Sequence, residues 1–260
     1  MNVLQPLTLS GIGIRIDAAG EDIFSKDRIE ALLAKHHFLV FKKLNWSTEQ
    51  LHTFLEQFGD LVRNERRENE TMLGLDGKRI KTEVIRGNGR LPLHRDGLLM
   101  NTVVKYVAIL CKEYSVTKGG RTYVSDSGAA WNEFPEEIKN ALIENGIEGR
   151  PYDTTYYLKS EGQWHSFPGT VEFEGRTFLN GGMNYHQDER ASWGIRIANI
   201  EEERSEQYYR DMQKILEEEK YTYYHDWEQG DLILFDNRTV LHGREAFEGE
   251  RSLIQMQVKE

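Results

Sequence analysis

Apolar positions open the chain at strand spacing, with Leu7, Leu9, Ile12, Ile14 and Ile16 interrupted once at Ser10-Gly11, and predict an early strand. Ser25 introduces a helical segment reaching about His36, and Phe38-Leu-Val-Phe41 reads as a buried strand. The next helix has the clearest local signature. Ser47 and Gln50 make a capping box, Leu51, Phe54, Leu55 and Phe58 form one apolar stripe, and Gly59 ends it.

From Arg63 to Gly89 the pattern dissolves into charge and glycine, with Asp76-Gly77 as a hairpin turn, which predicts a mobile flap beside a site. Between Thr102 and Cys111 β-branched and aromatic residues dominate. Short strands are expected at Thr122 to Val124, Val171 to Phe173, Tyr221 to Tyr224, Leu232 to Phe235 and Leu253 to Val258. Two helical patterns interrupt them: Pro135 to Asn145, closed by Gly146, and Glu201 to Glu219, whose Tyr208, Met212, Ile215 and Leu216 share a face. Many short strands with occasional helices predict an α+β, mainly β chain with a double-sheet jelly roll core flanked by helices.

The 260 residues fit one domain, 1–260, with one sizeable core. A net charge of -10, from 43 acidic and 33 basic residues, disfavours general affinity for nucleic acid. The single cysteine, Cys111, excludes an internal disulfide framework and reads as a buried thiol. No apolar run reaches the length of a membrane span, and Met1 to Ile16 lacks the layout of a secretory signal. These features fit a cytoplasmic enzyme.

Candidate chemistry begins at Leu91-Pro-Leu-His94-Arg-Asp96-Gly97. In an extended segment, residues two apart project to one face, so imidazole and carboxylate can meet one ion. His186-Gln-Asp188 has the same spacing and is a rival pair. A third ligand must come from elsewhere, since two histidines and one carboxylate on one face leave open the positions that non-haem iron(II) needs. The late stretch Gly230-Asp231-Leu-Ile-Leu-Phe235-Asp-Asn-Arg238-Thr-Val-Leu-His242 predicts a buried strand, a polar turn and a return strand carrying His242 inward. Arg251, nine residues beyond His242, enters on the next strand. A guanidinium there suits a dicarboxylate. His36 and His37 end a helix, where a cation suits the dipole, and His52 lies in the first turn of the capped helix; none is assigned a role.

The chain resembles the taurine dioxygenase-like family of iron(II)/2-oxoglutarate oxygenases over most of its length, most specifically from Gly230 to Arg251 and at Gly119-Gly120-Arg121-Thr122. The resemblance selects His94 and Asp96 over His186 and Asp188 as metal ligands. It makes His242 the distal ligand, and Thr122 and Arg251 the partners of the 2-oxoglutarate carboxylate. It implies a double-stranded β-helix with Fe(II) at its open end and 2-oxoglutarate as cosubstrate. The implied reaction couples formation of succinate and carbon dioxide to hydroxylation or desaturation of a small molecule, a role in secondary metabolism. An aspartate at position 96 speaks against the halogenases of this resemblance, which lack that ligand. Taurine-specific members have a second arginine four residues after the cosubstrate arginine; Gln255 stands there, so taurine is disfavoured.

The string His-Arg-Asp-Gly-Leu-Leu also resembles the branch that oxidises tyrosine-derived isonitrile acids. The expected substrate is an amino-acid-derived carboxylate bound between the flap and the Asn180 to Arg190 loop, with Arg86, Arg90 and Arg95 as candidate anchors. The alternatives are a metal-binding jelly-roll sensor without turnover and a cupin-type oxygenase without 2-oxoglutarate. A cosubstrate anchor at Arg251 favours the first reading over both.

Overall fold

A computed structural model describes residues 5–16, 21–63, 72–74, 84–100, 102–152, 157 and 162–260. In chain order its elements are β1 (Ile14–Ile16), α1 (Lys26–His36), β2 (Phe38–Phe41), α2 (Thr48–Glu56), β3 (Met72–Gly74), β4 (Leu91–His94), β5 (Val104–Gly119), β6 (Thr122–Ser125), α3 (Ser127–Trp131) and α4 (Glu136–Asn145). They continue with β7 (Ile147–Pro151), β8 (His165–Phe167), β9 (Thr170–Phe173), β10 (Arg176–Leu179), β11 (Trp193–Ile197), α5 (Glu202–Leu216), β12 (Thr222–His225), β13 (Leu232–Asp236), β14 (Leu241–Arg244) and β15 (Phe247–Lys259). The chain is mainly β. A six-stranded sheet runs β1-β2-β13-β5-β15-β3, a four-stranded sheet β12-β6-β14-β4 and a three-stranded sheet β11-β7-β8, with β9 and β10 paired apart. Among the described residues no helix is long and apolar enough to cross a membrane.

The six-stranded sheet is buried on both faces, which explains its uninterrupted apolar runs. Along β13, Ile233 and Phe235 join a core shared with Leu93 of β4, Val124 of β6 and Leu241 of β14. Their neighbours Leu232 and Leu234 pack instead with Ile29 and Leu33 of α1 and Leu51 and Leu55 of α2. The strand period of two thus divides β13 between the four-stranded sheet and the helices. Cys111, free and buried, lies on the first of these faces.

Helix α2 begins as its sequence predicts: Gln50 N–H donates to Ser47 Oγ at 3.1 Å and Ser47 N–H to Gln50 Oε1 at 2.8 Å. Helix α1 ends at His36, but burial lowers the pKa of both His36 and His37, so they are neutral ends rather than dipole-stabilised cations.

Three expectations need adjustment. Only Ile14–Ile16 of the first apolar stretch is a strand, and Leu9 is 85% exposed. Strands β5 and β15 run well past the predicted apolar segments because they hydrogen-bond to each other beyond the core, where side chains from Lys112 onward are mostly exposed. In the predicted flap, Asp76-Gly77 lies outside the described residues, but Val84, Ile85 and Arg86 are buried, so this end is packed against the core.

Candidate metal centre

Strands β4 and β14 pair antiparallel with His94 opposite His242, which brings the two rings to 4.3 Å between centroids. Asp96 lies just past the end of β4. Its Oδ1 is 3.4 Å from His94 Nε2 and its Oδ2 3.8 Å from His242 Nε2, and one candidate ligand atom from each residue falls within 4.8 Å of the others. The aspartate is placed by the polar turn after β13. Fully buried Asn237 accepts from Asp96 N–H at 3.0 Å and donates to the carbonyls of Asp96 and Val104 at 3.1 and 2.9 Å. Gly97 turns the chain with φ of 101°, where a Cβ would meet the Thr102 carbonyl at 2.4 Å.

His94 Nδ1 lies 2.8 Å from the Pro92 carbonyl, so Nδ1 carries the proton and the Nε2 lone pair faces Asp96. Two glutamines of β15, Gln255 and Gln257, donate to Asp96 Oδ2 at 2.7 and 2.6 Å. Burial pushes the Asp96 carboxyl up, but the two histidines and the Gln257 donor outweigh it and bring the pKa down to about 2. Burial, together with His94, brings His242 down to about 3 against the pull of Asp96. At neutral pH the cluster therefore offers one carboxylate and a neutral His242, in the protonation states that metal ligation requires. The glutamine pair escaped the sequence reading; its signal is the two-residue spacing on the strand that also carries Arg251.

The cluster opens into a cavity lined on its apolar side by Leu98, Leu99, Met100, Trp193 and Ile195, and on its polar side by Arg95, Thr122, Arg244 and Arg251. Arg251 is 2% exposed, donates from Nη1 to the Gly120 carbonyl at 2.8 Å and lies 4.2 Å over the Phe247 ring. Its Nε has no partner and no carboxylate pairs with it among the described residues. Burial, and after it Arg244, lower its pKa. A guanidinium so placed is costly until an anion joins it. Buried Thr122 accepts from Trp227 Nε1–H at 3.1 Å. Arg244 is held by backbone carbonyls, with Nη1 on Ile85 at 2.7 Å and Nη2 on Gly89 at 2.6 Å, and so staples the turn at 84–89 to the strand of His242.

The rival pair does not join this cluster: His186 and Asp188 are exposed. Their loop is nevertheless fastened to the metal strand. Arg95 N–H donates to Gly181 O and Met183 N–H to Leu93 O, both at 2.7 Å, and a Cβ at Gly182 would lie 2.8 Å from His94 Cβ. Arg90 grips Glu189 through Nε and Nη2, each at 2.9 Å, so this expected anchor is engaged with the protein itself. Arg95 has a buried Nη1 without a hydrogen-bond partner. Arg121, in the Gly-Gly-x-Thr segment, pairs with Glu245.

The chain belongs to the TauD/TfdA family: the family model for the taurine catabolism dioxygenase TauD, TfdA family matches residues 4–257. It is thereby an iron(II)- and 2-oxoglutarate-dependent dioxygenase. It is 26% identical over 255 residues to the tyrosine isonitrile desaturase of Erwinia amylovora, covering 91% of this chain and 82% of that protein. It is 25% identical over 281 residues to the alpha-ketoglutarate-dependent 2,4-dichlorophenoxyacetate dioxygenase of Cupriavidus pinatubonensis, covering 93% and 90%. The solved structure of PvcB, described as an Fe, alpha-ketoglutarate-dependent oxygenase from an isonitrile synthetic pathway, shares the fold with a TM-score of 0.70 at 21% identity, over 95% of this chain and 86% of that one.

Proposed function

We propose that His94, Asp96 and His242 hold the iron, that Arg251 and Thr122 bind the distal carboxylate of 2-oxoglutarate, and that the enzyme oxidises a small amino-acid-derived carboxylate such as a tyrosine-derived isonitrile, by hydroxylation or desaturation. The observation that carries this reading is Arg251, a buried cation with no carboxylate partner among the described residues, in the same cavity as a two-histidine, one-carboxylate cluster. A pure metal-binding module has no use for it. The proposal includes one oxygenase domain over 1–260 and a double-stranded β-helix made by the four- and six-stranded sheets. The buried free thiol of Cys111 agrees with a cytoplasmic setting.

The bound iron would supply oxygen activation coupled to decarboxylation of the 2-oxo acid to succinate. The residues supply geometry and charge. His94 and His242 present imidazole nitrogen, Asp96 is held ionised, and its two glutamine donors fix its orientation. The apolar walls from Leu98 to Met100 and at Trp193 exclude water from the reacting centre.

Charge balance supports an anionic substrate. Arg244 and Arg251 line the cavity with the carboxylate of Asp96, and Arg95 borders it with its charge also facing Asp236 and Glu260. A divalent metal and doubly charged 2-oxoglutarate cancel each other, which leaves an excess of positive charge for a substrate carboxylate to offset. Arg95, whose buried Nη1 has no hydrogen-bond partner, is less committed than Arg90, although Asp236 and Glu260 act on its charge. The similar proteins named for tyrosine isonitrile and for 2,4-dichlorophenoxyacetate fit this class. Gln255 is committed to Asp96, which agrees with taurine being disfavoured.

Anaerobic addition of 2-oxoglutarate to the iron(II) protein should produce visible charge-transfer absorption. Its absence at saturating cosubstrate would overturn the reading in favour of a binding protein or a 2-oxoglutarate-independent oxygenase. Succinate release and product mass should then be followed across amino acids, their N-modified and isonitrile derivatives, taurine and neutral aromatics. Stimulation by taurine or by uncharged compounds alone would discard the carboxylate.

A further inference from the structure

Behind Thr122 lies a chain of buried polar groups that contacts neither the metal cluster nor the cavity. Trp227, 4% exposed in the loop between β12 and β13, donates from its indole N–H to Thr122 Oγ1 at 3.1 Å. The His225 ring meets the indole edge to face at 4.5 Å and 85°. His225 is 1% exposed, with Nε2 3.2 Å from Asp231 Oδ2 and Nδ1 3.1 Å from the Tyr223 hydroxyl. Asp231, fully buried, is held in turn by Lys42 Nζ at 2.6 Å and by the backbone N–H groups of Lys43 and Glu228 at 3.1 and 2.9 Å. Every member has a defined partner, so the indole is fixed from both sides.

Hydrogen-bond chemistry gives this arrangement a direction. An indole N–H can only donate, so at Thr122 it must occupy an oxygen lone pair. A threonine hydroxyl has one proton, and with the indole on a lone pair that proton is left to be given elsewhere. Thr122 lines the cavity together with Arg251, whose Nη1 holds the carbonyl of Gly120 two residues earlier. The segment that carries the hydroxyl is thus clamped at Gly120 by Arg251, at Arg121 by Glu245 and at Thr122 by Trp227.

We infer that Trp227 is a positioning residue for the cosubstrate: by occupying one lone pair of Thr122 Oγ1 it orients the hydroxyl so that its proton turns into the cavity and is given to the distal carboxylate, with His225 and Asp231 holding the indole in place. This rests on the proposed role of Thr122. It assigns a role in cosubstrate selection to a residue that touches neither cosubstrate nor metal.

The test measures binding by calorimetry to the iron(II) protein without oxygen, using 2-oxoglutarate and 2-oxopentanoate, which has a methyl group in place of the distal carboxylate. Trp227→Phe should weaken 2-oxoglutarate about tenfold, the scale of one hydrogen bond to a charged group, and leave 2-oxopentanoate within about twofold. In a Thr122→Val background the same change should have no further effect on 2-oxoglutarate, because the hydroxyl it directs is gone. To separate direction of the proton from loss of packing, Trp227 is also replaced by 3-benzothienylalanine through nonsense suppression. This side chain keeps the bicyclic shape with sulfur in place of N–H, and it should reproduce the Phe result. Equal losses for both 2-oxo acids, additive losses in the double variant, or full 2-oxoglutarate affinity with the benzothienyl side chain would each overturn the inference. If Thr122→Val alone leaves 2-oxoglutarate affinity unchanged, the fault lies with the assignment of Thr122 itself.

Discussion

Replacing Arg251 by methionine keeps much of the side-chain volume, removes the charge, and should act in opposite senses on the free and the ligand-bound protein. Among the described residues the guanidinium of the free protein has one hydrogen bond, to Gly120 O at 2.8 Å, and the face of Phe247 at 4.2 Å, contacts together worth about 2 kcal/mol. Against them stands burial of a cation without a carboxylate, which costs several kcal/mol. The metal-free variant should therefore be no less stable than the parent in urea denaturation. With cosubstrate the sign reverses. Losing a charged partner of the carboxylate removes about 1.5–3 kcal/mol, or roughly 10- to 150-fold in affinity for 2-oxoglutarate. At a concentration about 100 times the parent's Kd, 2-oxoglutarate stabilises the parent by about 2.7 kcal/mol. A variant bound a hundredfold more weakly gains only about 0.4 kcal/mol. At about 2–4 °C per kcal/mol for a chain of this size, the ligand-induced rise in Tm of the metal-loaded protein should shrink by roughly 5–9 °C. An unchanged rise, or a metal-free variant more than about 3 kcal/mol less stable than the parent, would refute the reasoning, since Arg251 would then be a structural cation and no ligand anchor.

Alanine at His94 or His242 should abolish tight iron binding, measured by metal content after gel filtration, whereas alanine at exposed His186 should leave it intact; the reverse pattern would transfer the site to the other pair. Leucine at both Gln255 and Gln257 removes both donors from Asp96 Oδ2 and should weaken iron binding by about 10- to 100-fold while retaining the fold, as judged by circular dichroism. Burial holds His225 and His242 below the ordinary histidine pKa, His242 at about 3, so the unfolded chain takes up protons that the folded one refuses. Stability of the metal-free protein should accordingly be full above about pH 7 and fall as pH drops below about 6.5, by at most about 1.4 kcal/mol per pH unit for each group. Urea midpoints that stay constant from pH 7.5 to 5 would contradict this.

The parts of the site readable in sequence are those carried by local spacing. His94 and Asp96 lie two residues apart, and Asp236-Asn237-Arg238 reverses the chain between two short strands, so their convergence follows from strand geometry and one turn. What was not readable depends on which strands become neighbours. Gln255 and Gln257 act on Asp96, and Trp227 on Thr122, across more than 100 residues of sequence; the two-residue spacing of the glutamines puts them on one face of β15, but the local pattern does not say which strand that face meets. Arg90 looked like Arg95 in sequence; only the return of the Glu189 loop separates the engaged guanidinium from the available one. Strands β7 and β11 alternate between buried and half-buried positions; in β7 Gly149 and Pro151 stand at buried positions and break the apolar count, whereas Trp193, Ile195 and Ile197 of β11 keep a period of two that was within reach of the sequence.

The loop around Gly181 to Glu189 is tied to the metal strand by two backbone hydrogen bonds, by the absence of a Cβ at Gly182 and by the Arg90–Glu189 pair. A wall bound in this way cannot swing without dragging His94 along, so it does not serve as the door through which small molecules come and go. Among the described residues the cavity's other borders include the turn at 84–89, which Arg244 fastens to the strand of His242, and the stretch from Arg95 to Met100. Of these, the stretch from Arg95 to Leu98 also borders an open cleft on its far side with Phe167, Phe173 and Asn180. Changes in substrate repertoire should then accumulate along those borders, at Ile85, Leu98, Leu99 and Met100, whereas Gly181 to Met183, bonded directly to the strand of His94, should tolerate little alteration.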